Sequence, residues 1–308
     1  MKTLYELLDE YLEWRRSLKM SPYTIAKNKY VILPFLRWLE SDYQVASPIQ
    51  IRKEHLYHWQ KYLPSMTTRK GYPLKPRTIN ATNESIRGLL TYAEDLGYVP
   101  QGMHKALRNV KTPQMLPGSV LTHAQMRAML MRIPTSDAKG YRDRAMLEVL
   151  YSSGIRAREL LGLNVEDIDF HHHTMVVTGK GNKQRAVPIG KTAFKYLEIY
   201  IVAIRPYLLK EKEEKALFLN PRGKRFHYRS LVRCIHAYTK KARLDNVSPH
   251  TFRRSCTTEL IRGGANMYHV KELLGHESLE TLKHYAKLTI NDLKKTHQRC
   301  HPREKDGN

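Results

Sequence analysis

Cysteine, acidic side chains and long apolar stretches are scarce in this sequence, and each scarcity excludes a class of protein. The 308 residues include only 3 cysteines, Cys234, Cys256 and Cys300, with no C-x-x-C pair. Neither a disulfide framework nor a zinc ribbon is therefore indicated. Because no apolar run reaches the roughly 18 residues of a membrane span and acids interrupt the N-terminal stretch, we expect a cytoplasmic protein with no membrane partner.

The shortage of acid leaves a large excess of positive charge. Lysine and arginine number 53 against 29 aspartates and glutamates, which gives a formal net charge of +24. Residues 1–118 hold 18 basic and 10 acidic side chains, and residues 119–308 hold 35 and 19, so no single tail carries the charge. Such a field concentrates polyanions, which makes nucleic acid the first partner to consider. A generically basic protein, such as a ribosome-associated factor, is the alternative.

The spacing of apolar residues predicts two domains and a mainly α fold with a small antiparallel β-sheet (α+β). Helical periodicity through residues 1–109 predicts a domain of four helices. A stretch with two prolines and a glycine, 110–119, predicts a linker. Residues 120–308 predict a mostly helical second domain with a C-terminal tail helix, a β-hairpin region at 167–188 and a short strand at 217–219.

Arg156 is the first candidate phosphate ligand. Gly154 is expected to end a helix over residues 141–153, which places Arg156 just past the helix end. Arginine suits a phosphate because its guanidinium is permanently charged and can bond two oxygens at once. Glu159, three residues later, could orient that guanidinium or a histidine. The alternatives are a surface arginine and an ordinary helix acid.

His250 and Arg253 form a second candidate group. They stand three residues apart behind Ser248 and Pro249, a cap and a first-turn proline, so both should project from one face near a helix N-terminus. The helix dipole there favours an anion. Donors aimed at the non-bridging oxygens of a phosphodiester lower the barrier to attack, and Arg253 could be such a donor. A His–Arg pair on a solvated helix face is the alternative.

A basic β-hairpin supplies the third group. The turn at residues 179–182, Gly-Lys-Gly-Asn, predicts that Lys180 lies at the hairpin tip. Lys183 and Arg185 lie close by and could be confused with it. A basic hairpin is most often only an electrostatic surface for phosphates.

Five motifs together resemble the catalytic domain of the tyrosine recombinases, the phage integrase family, in particular the Xer and transposon-integrase type. They are Gly-Ile-Arg-Ala-Arg-Glu at 154–159, Thr-Gly-Lys-Gly at 178–181, His-Thr-Phe-Arg at 250–253, Gly-His at 275–276, and Tyr285. The likeness covers residues 122–302 well and the helical N-terminal part more loosely. Arg254 departs from it, since many relatives carry histidine there.

The resemblance implies a site-specific recombinase that cuts and rejoins duplex DNA through a 3′-phosphotyrosyl intermediate, in integration, excision or resolution. Tyr285 would be the nucleophile, Lys180 the general acid for the departing 5′ oxygen, and His276 a phosphate donor or proton shuttle. The residues alone do not single out Tyr285 among 19 tyrosines, and His276 could equally cap a helix. No metal or other cofactor is expected, because the three histidines at 171–173 fit a solvated turn better than a metal site.

The implied partners are a double-stranded DNA target and further copies of the chain, as a homotetramer on two duplexes. The tail at residues 290–300 resembles the segment that relatives dock onto a neighbour. Two rival functions use the same surface charge: a type IB topoisomerase, acting on one duplex, and a DNA-binding repressor without catalysis. The sequence gives neither the target site nor the direction of exchange, the host element or accessory proteins.

Overall fold

The computed structural model describes residues 2–68, 70–113 and 119–275, except for the side chain of Lys180. The chain divides into two compact units, residues 1–114 and 115–308. Each unit has an apolar core of its own. Within the described ranges, no helix combines the length and the apolar character that crossing a membrane requires.

The first unit is helical in its described part. Its helices are α1 (Leu4–Ser17), α2 (Pro22–Tyr43), α3 (Lys53–Tyr62) and α4 (Pro76–Asp95). Helix α2 begins behind Ser21, whose hydroxyl accepts the backbone N–H of Thr24 at 3.2 Å, as is usual for a helix cap. The apolar faces of α1, α2 and α4 pack together, and all three tryptophans of the chain belong to this unit.

Side-chain amides of the first unit bind its own C-terminal segment. Gln60 accepts the backbone N–H of Arg108 at 2.9 Å and donates to its carbonyl oxygen at 3.1 Å. Asn80 makes the same pair with Val110, at 2.8 and 3.0 Å. The start of the expected linker is therefore bound to the helices, whereas residues 114–118 lie outside the described ranges.

The second unit is built around one central helix, α6. Its helices are α5 (His123–Met131), α6 (Ala138–Ser153), α7 (Ala157–Gly162), α8 (Lys191–Ile199), α9 (Arg205–Leu208), α10 (Tyr228–Lys241), α11 (Pro249–Arg262) and α12 (Met267–Leu274). Helix α6 packs against α8 and α11, and a π-helical turn, Tyr200–Ile204, connects α8 to α9. Its buried Arg142 and Asp143 pair with each other at 2.6 Å.

The sheet of the second unit is small and antiparallel. Strands β1 (Ile168–Asp169), β2 (Thr174–Thr178) and β3 (Gln184–Pro188) lie in the order β1-β2-β3, with Met175 opposite both Ile168 and Val187. The predicted mainly α fold with a small antiparallel sheet is confirmed.

One local prediction is wrong, and another concerns residues that the structure does not describe. The prediction of a strand at residues 217–219 is wrong. This segment and the adjacent Ala216 form only isolated β-bridges, Ala216 with Asn164 and Leu219 with Arg225. It is apolar because it is a buried core loop, which short apolar runs resemble in sequence. The expected tail helix falls on residues that the structure does not describe.

Candidate active site

Gly154 ends α6 in a left-handed conformation, as predicted. Its φ is 62°, and its N–H donates to the carbonyl oxygen of Leu150 at 3.1 Å. A Cβ at this position would lie 2.8 Å from Cδ2 of Leu274 and 3.1 Å from Sγ of Cys256. Both the turn and the close approach of α11 and α12 therefore require glycine.

Arg156 lies at the cap of α7, immediately before the helix. Its backbone N–H donates to Oε2 of Glu159 and its Nη1 donates to Oε1, each at 2.8 Å. Its Nη2 donates to the carbonyl oxygen of Gly275 at 3.0 Å. The side chain is 38% exposed, so the guanidinium is held from one side and open to an anion on the other.

Glu159 is buried and binds two arginines at once. Only 4% of its side chain is exposed, and besides Arg156 it accepts Nη1 and Nη2 of Arg185 at 3.1 and 3.0 Å. Burial alone would raise the pKa of Glu159, but the hydrogen bonds from Arg185 and Arg156 outweigh it and hold the pKa below its ordinary value. The group of two guanidiniums and one carboxylate therefore carries a formal charge of +1.

Arg253 connects the C-terminal ends of two helices. Its Nη1 donates to the carbonyl oxygen of Gly154 at 2.9 Å, and its Nη2 donates to that of Leu274 at 2.8 Å. The residue is 3% exposed. A buried positive charge is weakly screened by solvent, so it acts strongly on any nearby anion.

His250 lies at the surface, in the first turn of α11. Partial desolvation, followed by the positive charges of Arg253, Arg254 and Arg156, lowers the pKa of its imidazole. The imidazole is consequently neutral at pH 7 and can accept or donate a proton.

Lys180 lies in the hairpin turn between β2 and β3, as expected. The turn Lys180–Asn182 follows Gly179, whose N–H donates to the carbonyl oxygen of Lys183 at 2.8 Å. The side chain of Lys180 is not described, and His276 and Tyr285 lie outside the described residues.

Among the described candidates, the structure brings Arg156, His250 and Arg253 together and adds Arg185. Arg156 and Arg253 come from distant parts of the sequence and donate to consecutive carbonyl groups, those of Gly275 and Leu274. Arg185 was considered only as a neighbour of Lys180. Strand alternation could have found it, because in β3 it shares a face with the buried Val187.

The histidines at 171–173 form a turn between β1 and β2, where His172 bonds Asp169 at 2.7 Å. Over the part of the chain that the structure describes, no three His, Cys, Asp or Glu side chains come close enough to hold a metal ion.

Comparisons with known proteins agree on one family. The model of the phage integrase family matches residues 119–291. A tyrosine recombinase XerD of Staphylococcus epidermidis is 36% identical over 220 residues, 71% of this chain and 74% of the relative. A tyrosine recombinase XerC of Syntrophus aciditrophicus is 32% identical over 329 aligned positions, 100% of both chains. The fold is similar to the Tn1549 transposon integrase, solved with a circular intermediate DNA, at a TM-score of 0.72 and 19% identity over 97% of this chain and 99% of that one.

The fold, the arginine-rich site and these relatives define a DNA strand-exchange enzyme. The chain belongs to the phage integrase family, the tyrosine recombinases, as its motifs indicate.

Proposed function

We propose that this recombinase cuts and rejoins duplex DNA at a site formed by six residues. They are Arg156, Lys180, His250, Arg253, His276 and the nucleophile Tyr285, with Glu159 behind Arg156. Tyr285 gives its phenolic proton to His250, and its oxygen bonds to the scissile phosphorus while the bond from phosphorus to the 5′ oxygen breaks. The 5′ oxygen takes a proton from Lys180, and a 5′ hydroxyl of the partner duplex later reverses the step.

The convergence of Arg156 and Arg253 on the end of α12 carries this proposal. Their two acceptor carbonyls belong to Leu274 and Gly275, the residues directly before His276. The two arginines therefore meet where the segment towards Tyr285 begins. Cations there stabilise charge on the phosphate oxygens and ease proton loss from a phenol, whose ordinary pKa is about 10.

The neutral His250 fits the same chemistry. Since partial desolvation and then the neighbouring arginines lower its pKa, it is an uncharged acceptor for a proton at neutral pH. The +1 charge of Arg156, Glu159 and Arg185 leaves the site attractive to an anion although one carboxylate lies within it.

Helix α10 supports duplex DNA as the partner. Its sequence contains no acidic residue, and Arg229, Arg233, His236 and Lys240 are exposed at spacings of four, three and four residues. Such spacing places them on one helix face. A basic helix face can bind the phosphates on both sides of a DNA groove.

Salt dependence tests this face. Arg229→Gln and Arg233→Gln are each expected to lower the slope of log affinity against log salt by about 0.9, because one phosphate contact is lost. Arg233→Lys keeps the charge and serves as the control. An unchanged slope in both glutamine variants would place the DNA elsewhere.

We also propose that four copies act on two duplexes in the cytoplasm, because exchange requires two cleavages in each duplex. Analytical ultracentrifugation on a captured duplex tests the assembly. A complex that never exceeds one chain per duplex would contradict it.

Covalent capture tests the reaction itself. The probe is a pool of nicked duplexes whose sequence around the nick is randomised, so that cleavage releases a short strand and traps the chain on DNA. The wild-type chain is expected to form an adduct and Tyr285→Phe to form none while still binding DNA, since the change removes one oxygen. An adduct with the Phe variant would show that another residue is the nucleophile.

The same assay separates the rival functions. Binding without any adduct would identify a repressor. Relaxation of any supercoiled plasmid by a single chain, without sequence preference, would identify a topoisomerase.

Sulfur substitution tests Lys180 as the general acid. A thiolate leaves readily at neutral pH, since a thiol has a pKa of about 8.5, whereas an alkoxide needs a proton. Lys180→Ala is therefore expected to cleave an ordinary captured site about 10² to 10⁴-fold slower and to recover on a substrate with sulfur at the 5′ bridging position. Arg156→Ala is the control that sulfur should not rescue.

A further inference from the structure

Arg185 is a half-buried arginine of β3 that points into the site rather than towards solvent. Its Nη1 and Nη2 form a two-point pair with Glu159 at 3.1 and 3.0 Å. Its Nε donates to the carbonyl oxygen of Leu273 at 3.0 Å. Every guanidinium nitrogen is thus bonded inside the protein, and 17% of the side chain is exposed.

These bonds join three separate parts of the site. Arg185 stands on the hairpin that carries Lys180, Glu159 holds Arg156 at the start of α7, and Leu273 lies in the last turn of α12. The Arg185 side chain also packs closely against the backbone of Gly275, because a Cβ at Gly275 would lie 3.0 Å from Cζ of Arg185. A displacement of Arg185 would therefore disturb all three parts.

Glu159 cannot hold Arg156 in one place unless it is itself fixed. Its carboxylate is buried, and the two-point pair with Arg185 fixes both of its oxygens, the same oxygens that accept Arg156. A planar guanidinium can do this, whereas a lysine ammonium is a point charge that cannot reproduce the two-point geometry.

We propose that Arg185 is a positioning residue for strand cleavage: it fixes Arg156 through Glu159 and fixes the end of α12 through the Leu273 carbonyl. The proposal rests on the function proposed above. Because every guanidinium nitrogen of Arg185 is bonded within the protein, we expect its loss to slow the chemical step and to leave DNA binding unchanged.

The substitution Arg185→Lys keeps the charge and removes the two-point pair. Misplacement of a reacting group by about 1 Å can cost about 10²-fold in rate. We expect single-turnover cleavage of the captured duplex to slow by about 10 to 100-fold, with the dissociation constant for that duplex unchanged. The control is Arg205→Lys, because Arg205 also donates to carbonyl oxygens, those of Glu214 and Ala216, and has no hydrogen bond to the site residues that the structure describes.

A double-mutant cycle with Glu159→Gln tests the route. If Arg185 acts through Glu159, adding Glu159→Gln to Arg185→Lys should slow cleavage little further. The proposal would be overturned if the two substitutions slowed cleavage by factors that multiply in the double variant. It would also be overturned if Arg185→Lys and Arg205→Lys slowed cleavage equally at matched melting temperatures. Should Arg185→Lys fail to fold by circular dichroism, Arg185→Gln takes its place with the same expected slowing of cleavage, and the rate at saturating duplex is then the readout because this variant also loses a positive charge.

The outcomes separate this proposal from the proposed function. If the wild-type chain captures no duplex from the randomised pool, the proposed function fails. If the wild-type chain captures DNA and Arg185→Lys cleaves it at the wild-type rate, only the role of Arg185 fails.

Discussion

Gly154→Ala tests whether the end of α6 has room for any side chain. The residue has a φ of 62°, and its added Cβ would lie 2.8 Å from Cδ2 of Leu274 and 3.1 Å from Sγ of Cys256. Both neighbours are buried, so neither can move into solvent. The carbonyl group of Gly154 is also bound by Arg253, which limits how far the backbone can shift.

The expected loss has two parts. Alanine in the left-handed region costs roughly 1–2 kcal/mol, and overpacking a closely packed region costs about 1–3 kcal/mol. The free energy of unfolding of the second unit should therefore fall by about 2–5 kcal/mol. With a urea m-value of roughly 2 kcal/mol per molar, the midpoint moves down by about 1–2.5 M.

The distribution of tryptophan makes the measurement specific. Trp14, Trp38 and Trp59 all lie in the first unit, so their fluorescence reports the unfolding of that unit. Far-UV circular dichroism reports the helices of both units. In urea, Gly154→Ala should shift the dichroism transition of the second unit and leave the fluorescence transition in place.

Gly162→Ala is the matched control. Gly162 ends α7, and a Cβ there would have no atom within 4 Å. Alanine should be neutral or stabilising by up to about 1 kcal/mol, because it reduces the freedom of the unfolded chain. Equal losses in the two variants, or an unshifted second-unit transition in Gly154→Ala, would refute the account of the α6 end.

Buried or desolvated groups in both units give three more tests. Asp143→Asn breaks the buried pair with Arg142 and should lower the free energy of unfolding of the second unit by about 3–5 kcal/mol, measured by dichroism in urea. Burial raises the pKa of Glu94, but bonds from His104 outweigh it and hold the pKa low, so its stabilisation is complete at neutral pH and lost on acidification. The tryptophan-monitored urea midpoint should thus fall from pH 7 to about pH 4 more in the wild type than in Glu94→Gln. The lowered pKa of His250 should appear as an NMR titration midpoint below the ordinary 6.5.

Local signals predicted most of the fold because they act over a few residues. Gly154 ends α6, as the sequence indicated, and Ser21 and Thr122 accept backbone N–H groups at the starts of α2 and α5. Helix α7 was not predicted, since its six residues are too few to show a helical period. The strand predicted at residues 217–219 was wrong because an apolar run of three residues fits a strand and a buried loop equally.

Fewer contacts of the site than elements of the fold could be predicted from the sequence. Arg156 and Glu159 are three residues apart, so their contact could be anticipated from a helix turn. The contact of Glu159 with Arg185 spans 26 residues and depends on the register of a hairpin against α7. The contacts of Arg253 with Gly154 and Leu274 depend on the packing of three helices, which no local pattern specifies.

The same helix ends that complete the fold also build the site. Gly154 and Gly275 both adopt the left-handed conformation that ends a helix, and the carbonyl groups at these ends have no partner within the helix. Arg253 and Arg156 bond to carbonyl groups of this kind, which carry only a partial negative charge. Carboxylates in their place would add further negative charge to the site, whereas carbonyl groups orient the arginines and leave the site with a net positive charge for a phosphate. Replacing either glycine should therefore harm stability and cleavage together, because one set of bonds serves both.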